Sequence, residues 1–202
     1  MAPAFAGVIG RGHDHWIPDL DNASIPHRVQ RLLEGHWPRL GMPSTLQGIV
    51  IGPTLTTNHP GPIQFGLLAP AYAASGERGL GIALGSAVLN ALVVLTMVVL
   101  AHRRRGPAFA AVVAVGVLLL ERSMTTDLLA DPFNPYASIL PLAALGLITW
   151  SAAAGDRVAY VPLGIVSAFV AQAHLSGTVP GLALLTIGGV GAIWSEFGAP
   201  TW

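Results

Sequence analysis

Cysteine is absent from the 202 residues, which excludes disulfides, thiolate nucleophiles and cysteine metal sites. Charge is scarce: 10% of residues are charged, against about 25% in an ordinary soluble domain. The charges sum to a formal net of zero, so nothing points to nucleic acid as a partner. Lysine is missing altogether. The basic residues are all arginine, which with abundant alanine and glycine reads as codon bias rather than chemistry. Apolar residues fill the chain instead, at 52% with a mean hydropathy of +0.62. These values predict an all-α fold, a polytopic transmembrane bundle of about five spans whose solvent is lipid.

The chain divides into a polar part, residues 1–62, and a membrane part, residues 63–202. Met1 to Gly10 is apolar but short, with no basic region or cleavage site of a signal peptide. It reads as the stub of a helix whose beginning is missing. Residues 11–62 hold five of the seven histidines and are punctuated by proline. They predict a structured loop on the bilayer surface with one short amphipathic helix from Ile25 to Gly35, Ser24 as its cap and Pro26 at its first position. Residues 63–75 are apolar but too short to cross and predict an interfacial or re-entrant helix. Spans are expected near 80–101, 107–121, 138–154, 158–175 and 178–195. The shorter ones suit a thin bilayer or snorkelling ends. Asn90, the one strongly polar residue of the first span, reads as an interhelical hydrogen bond. Glu121 and Arg122 close the second span and are expected in solvent. The tryptophans fall mostly near predicted interfaces, as an aromatic belt would place them.

Sidedness follows from the Arg103-Arg104-Arg105 turn, the densest basic patch, which the positive-inside rule sets in the cytoplasm. Counting spans from there puts residues 11–78, the loop from Glu121 to Ser138 and the turn from His174 to Thr178 on one outer face. The Gly155-Asp156-Arg157 turn and the C-terminus fall inside. The expected location is a cell membrane, crossed several times, with the polar loop extracytoplasmic.

Four polar groups can carry chemistry. In His13-Asp14-His15-Trp16-Ile17-Pro18-Asp19-Leu20-Asp21, carboxylates beside imidazoles suit a general base or a divalent metal, with Asp14 and His15 the residues to hold the ion. In Asn58-His59-Pro60-Gly61-Pro62 the prolines hold His59 at a helix start, where anions gather. In Asp131-Pro132-Phe133-Asn134-Pro135-Tyr136 a stiff turn opens the next span, with Asn134 suited to cap it. In Gln172-Ala173-His174, polar side chains near a span end need a cavity or a partner helix. Each group also has a plain structural reading, as a solvated loop, a helix start, a cap or an interfacial histidine.

The order of these pieces resembles a known family. An acid-bearing first outer loop, then NHPGPIQFGLLAP, DPFNPYASILPLAALGLITWSAAAGD and SAFVAQAHLSGTVPGLALL, is similar to GT-C fold integral membrane glycosyltransferases, specifically the actinobacterial branch with a His-Pro-Gly-Pro motif. The resemblance covers most of the chain from about His15 onward. It implies sugar transfer from a polyprenyl-phosphate donor, entering from the lipid, to an extracytoplasmic acceptor. It further implies a catalytic base at Asp19 or Asp21, Asp19 being preferred, phosphate contacts from Arg28 and His59, and a cavity lined by Asn134 and His174. The chain departs from that family in lacking the first transmembrane helix and the later helices, as if truncated at both ends, and in having Ser24-Ile25-Pro26-His27 where the family tends to carry an acid. The competing readings are a non-catalytic scaffold or assembly partner of another membrane protein, and a small transporter. The last is disfavoured by the lack of repeats and of ionisable mid-span residues.

Overall fold

The computed structural model of the chain describes Ala6 and residues 20–44, 58–124 and 128–198. Among these, regular structure is helical, and the chain elsewhere pairs only at a bridge between Pro43 and Asn58. The helices are α1 (Leu20–Leu33), α2 (Ile63–Ala74), α3 (Gly79–Ser123), α4 (Asn134–Ala137), α5 (Ile139–Ala153), α6 (Tyr160–Ala173) and α7 (Leu175–Phe197), with a 3-10 turn over Arg157–Ala159 before α6. Three stretches are long and apolar enough to cross a membrane: Gly79–Ser123, Asn134–Ala153 and Leu175–Phe197. Ile63–Ala74 and Arg157–Ala173 are shorter apolar helices.

The longest of these is a hairpin. Gly106 interrupts it at φ 77°, a left-handed conformation glycine adopts readily, and Pro107 starts the return. Val93 and Leu120 pack on one cluster, Met124, Leu129 and Leu140. In a straight helix those two residues would lie about 40 Å apart. The break predicted after the arginine triplet is therefore present, and it takes a single residue.

The arms of α3 close on α5. Met97, Leu100 and Val117 share a core with Ala144, Leu145, Ile148, Leu163 and Val170. α7 covers α5 and α6 closely because glycine lines its contact face, as at Gly181, where a Cβ would sit 3.0 Å from the Ala171 backbone nitrogen. The outward faces stay apolar: Val112, Leu118 and Leu119 on α3, and Val179, Val190 and Ile193 on α7, are all exposed. Lipid is the solvent that such faces fit.

α2 runs back along the first turns of α3. Leu68 and Ala71 lie against Gly85, and Ala71 and Ser75 against Gly81, with no room for a Cβ at Gly81. α1 docks on this pair through Ile25 and Val29, buried with Met42, Phe65 and Ile82. Here the sequence reading needs correction. α1 starts at Leu20 rather than at Ile25, so Ser24 and Pro26 lie inside it. The Ser24 hydroxyl meets the Met42 sulfur instead of capping. Burial of Ile25 and Val29 fixes this segment as helix in spite of the proline, an example of packing overriding local preference. Glu121 is also not in solvent. It shares the inward face of α3 with Val117 and Met124, one turn to either side, and is buried, while Arg122 is exposed.

Candidate functional site

Segments far apart in sequence meet at one end of the bundle. The His59 and His174 rings stack with centroids 4.8 Å apart. The Leu175 N–H donates to His59 Nδ1 at 3.2 Å, and the Ser176 N–H to His174 Nδ1 at 3.3 Å. An accepting Nδ1 puts the proton of a neutral His59 imidazole on Nε2, whereas His174 Nδ1 also lies 2.7 Å from the Ser176 hydroxyl, a contact whose direction depends on the tautomer. Burial pushes the His174 pKa below its ordinary value. The backbone joins the same segments, since the Gly61 N–H donates to the Gln172 carbonyl at 3.4 Å.

Three carboxamides fasten the non-helical loop before α4 into this end. Gln64 donates to the Pro132 carbonyl, Asn90 to Leu129 at 2.7 Å, and Asn134 to Ala173 at 2.8 Å. All three amides are buried. Each supplies a hydrogen bond to a backbone carbonyl that lipid could not. Asn134 thus does not cap its helix. The cap residue is Phe133, and the Asp131 carboxylate accepts from the Phe133 N–H to form the turn. Asn134 Oδ1 is buried without a partner among the described residues. Asn90, expected to bond a neighbouring helix, bonds this loop instead.

A cavity of about 340 Å³ opens sideways from the cluster. Gln64, Ala137 and Phe169 line its upper end. Ala137 and Phe169 also pack on Ala173, next to the histidine pair. The cavity continues between α3 and α6 past Leu89, Leu92, Val161 and Ile165. Leu92, Val161 and Ile165 are each more than half exposed, so the groove is open on the lipid-facing side. Its walls are apolar apart from Gln64, Ser86, Asn90 and Thr96.

The other end of the bundle is cationic and lies roughly 23 Å away, counting Asn90 to Arg105 at helical rise. Arg103 forms a bidentate pair with Asp156, at 3.1 and 2.9 Å. Those hydrogen bonds hold the Asp156 carboxyl below its usual range against the opposing effect of burial. Arg157 pairs with Glu196 at 2.8 and 2.6 Å, with the Tyr160 hydroxyl on the same carboxylate. The two arginine turns expected to share a face do so.

Of the residues singled out from sequence, His59, His174 and Asn134 come together. Arg28 joins their end less directly. Its guanidinium lies over the Phe65 ring at 5.7 Å and donates to the Leu40 carbonyl at 3.4 Å. The next residue, Gly41, donates its N–H to the His59 carbonyl. Asp14, His15 and Asp19 lie outside the described residues, and Asp21 sits in α1 with its side chain undescribed. Among the described residues no three His, Asp or Glu side chains gather as a metal site would need. Sequence reasoning missed Gln64. Its signal was a lone amide in an apolar helix two residues after Pro62. No protein-family model, no curated protein and no solved structure matches this chain.

Proposed function

We propose that this protein takes a polyprenyl-phosphate sugar from the bilayer, lays the isoprenoid chain in the lateral groove, and transfers the sugar to an acceptor at the histidine end. The groove carries this reading: it is apolar, open on its outward side, and has the Gln64 and Asn90 carboxamides in its wall near the end where His59 and His174 meet. Its volume is within the range of small-molecule sites, about 300–1,000 Å³. His59 and His174 are the imidazole candidates for contacting the phosphate, and Arg28 is the guanidinium candidate for the same role. The resemblance to GT-C glycosyltransferases supplies the chemistry. Asp19 or Asp21 takes the proton of the acceptor hydroxyl. The acceptor oxygen bonds the sugar's anomeric carbon as the bond to phosphate breaks, and polyprenyl phosphate leaves with the electron pair. In this reading the histidine end faces outward and the arginine end lies in the cytoplasm.

One observation favours a second reading, a non-catalytic scaffold. Gln64, Asn90, Asn134 and both Nδ1 atoms already hold backbone groups, which is what a purely structural cluster does. Photo-crosslinking with a diazirine-tagged polyprenyl phosphate tests the groove. Leu92→Trp is expected to abolish labelling of the α3 and α6 peptides, whereas Val190→Trp, on the exposed apolar face of α7 and not in the groove lining, leaves it intact. Equal labelling of both variants would refute the groove. Loss of transfer in Asp19→Asn or Asp21→Asn, with labelling retained, separates the enzyme from the scaffold.

A further inference from the structure

At the arginine end, two of four arginines are neutralised, Arg103 by Asp156 and Arg157 by Glu196. Among the described residues Arg104 and Arg105 have no carboxylate in a salt bridge. Arg105 is exposed on the Gly106 turn. Arg104 is held differently. Its guanidinium lies over the Trp150 ring at 5.1 Å, and its hydrogen bond to the Ala154 carbonyl is long at 3.5 Å. Its Nε is buried and has no acceptor among the described residues. An unused buried guanidinium N–H is costly unless an acceptor meets it. Phe109 packs edge-on to Trp150, with ring centroids 6.0 Å apart. Val112, one turn further along α3, is 66% exposed.

We infer that this corner binds the headgroup of an anionic phospholipid. A phosphodiester takes the planar fork of Arg104 and the neighbouring charge of Arg105, and the acyl chains lie against Phe109 and Val112. The combination selects a lipid over a soluble anion, because the cation is fixed on an aromatic at the margin of an apolar, lipid-facing surface. It also selects an anionic lipid over a zwitterionic one, because the corner has two positive charges in excess. Arg103 and Arg157 stay with their carboxylates, so they position the turns and leave the recognition to Arg104 and Arg105. The site lies at the opposite end from the proposed sugar-transfer cluster and stands or falls independently of it.

The test is binding of fluorescent phosphatidylglycerol to the full chain in neutral detergent, with phosphatidylcholine and inorganic phosphate as competitors. Removing charge is expected to weaken binding about fivefold per arginine, so Arg104→Gln with Arg105→Gln loses more than tenfold on that basis. Arg39→Gln, an exposed arginine at the other end, changes nothing. Phosphatidylcholine and millimolar phosphate fail to compete. Trp150→Leu, which keeps both charges and removes the platform, is expected to weaken binding severalfold and serves if the double variant does not fold. Unchanged affinity in both variants, an equal loss in Arg39→Gln, or displacement by inorganic phosphate would each overturn the assignment.

Discussion

Gly177→Ala is the sharpest test of how the two ends of α6 and α7 meet. A Cβ at Gly177 would fall 2.3 Å from the Val170 carbonyl oxygen and 3.2 Å from Val170 Cγ1. The obstacle is backbone, so no rotamer change relieves it, and α7 must move off α6 by roughly 1 Å to restore ordinary contact. Overpacking of this kind costs about 1–3 kcal/mol, and the better helix propensity of alanine returns up to about 1 kcal/mol. The net loss is about 1–2 kcal/mol, or roughly 2–8 °C in midpoint for a chain of this size. The same shift would pull on the Thr178 hydroxyl, which donates to the Ala171 carbonyl at 2.9 Å. Two internal controls sharpen the assay. Gly66→Ala meets no atom within 4 Å and is expected to raise the midpoint slightly. Gly61→Ala meets the Gln172 side chain, which can swing aside, and is expected to cost less than Gly177→Ala. Thermal unfolding of the detergent-solubilised protein, read by tryptophan fluorescence, measures all three. If Gly177→Ala proves as stable as Gly66→Ala, the described apposition of α6 and α7 is wrong.

Asn90→Leu is expected to cost about 1–2 kcal/mol and to expose the loop before α4, read as faster proteolysis between Leu128 and Phe133; unchanged cleavage would mean that the amide does not anchor it. His174 has a lowered folded-state pKa, so the neutral ring contributes stability above the unfolded value of about 6.5. Stability should therefore fall as pH drops through 6.5 toward the lower folded pKa, in a slope that His174→Asn flattens. Asp156 has its pKa depressed by Arg103, so its contribution is present above the ordinary carboxylate value of about 4 and is lost as pH falls through the depressed one. Because Arg103 is half exposed, Asp156→Asn is expected to cost only about 1 kcal/mol at neutral pH, and a much larger loss would mean that the pair is buried more deeply than described.

The apolar helices and the arginine turn were legible because both rest on local signals, apolar run length and a charge triplet beside Gly-Pro. The convergence of His59, Asn134 and His174 was legible only as a shared face, by counting spans. Their pairing was not, since ring stacking and the Leu175–His59 hydrogen bond join residues more than a hundred positions apart. Misreadings arose where tertiary contacts outweighed local preference. Pro26 suggested a helix start, yet burial of Ile25 and Val29 carries α1 through it. Asn134 suggested a cap, yet its amide reaches across to Ala173. Glu121 looked solvated by its neighbour Arg122, yet helical periodicity turns it inward with Val117. The groove could not be read at all, because it is a space left between α3 and α6 rather than a property of either.

The absence of native cysteine makes the central juxtaposition directly measurable. In a His59→Cys, His174→Cys double variant, a short bifunctional methanethiosulfonate is predicted to bridge the two positions within one chain, as read by intact mass, whereas His59→Cys paired with His102→Cys beside the arginine turn stays unbridged. Bridging to His102→Cys instead, or no bridge between positions 59 and 174 with both thiols reactive, would contradict the gathering of these distant segments at one end of the bundle.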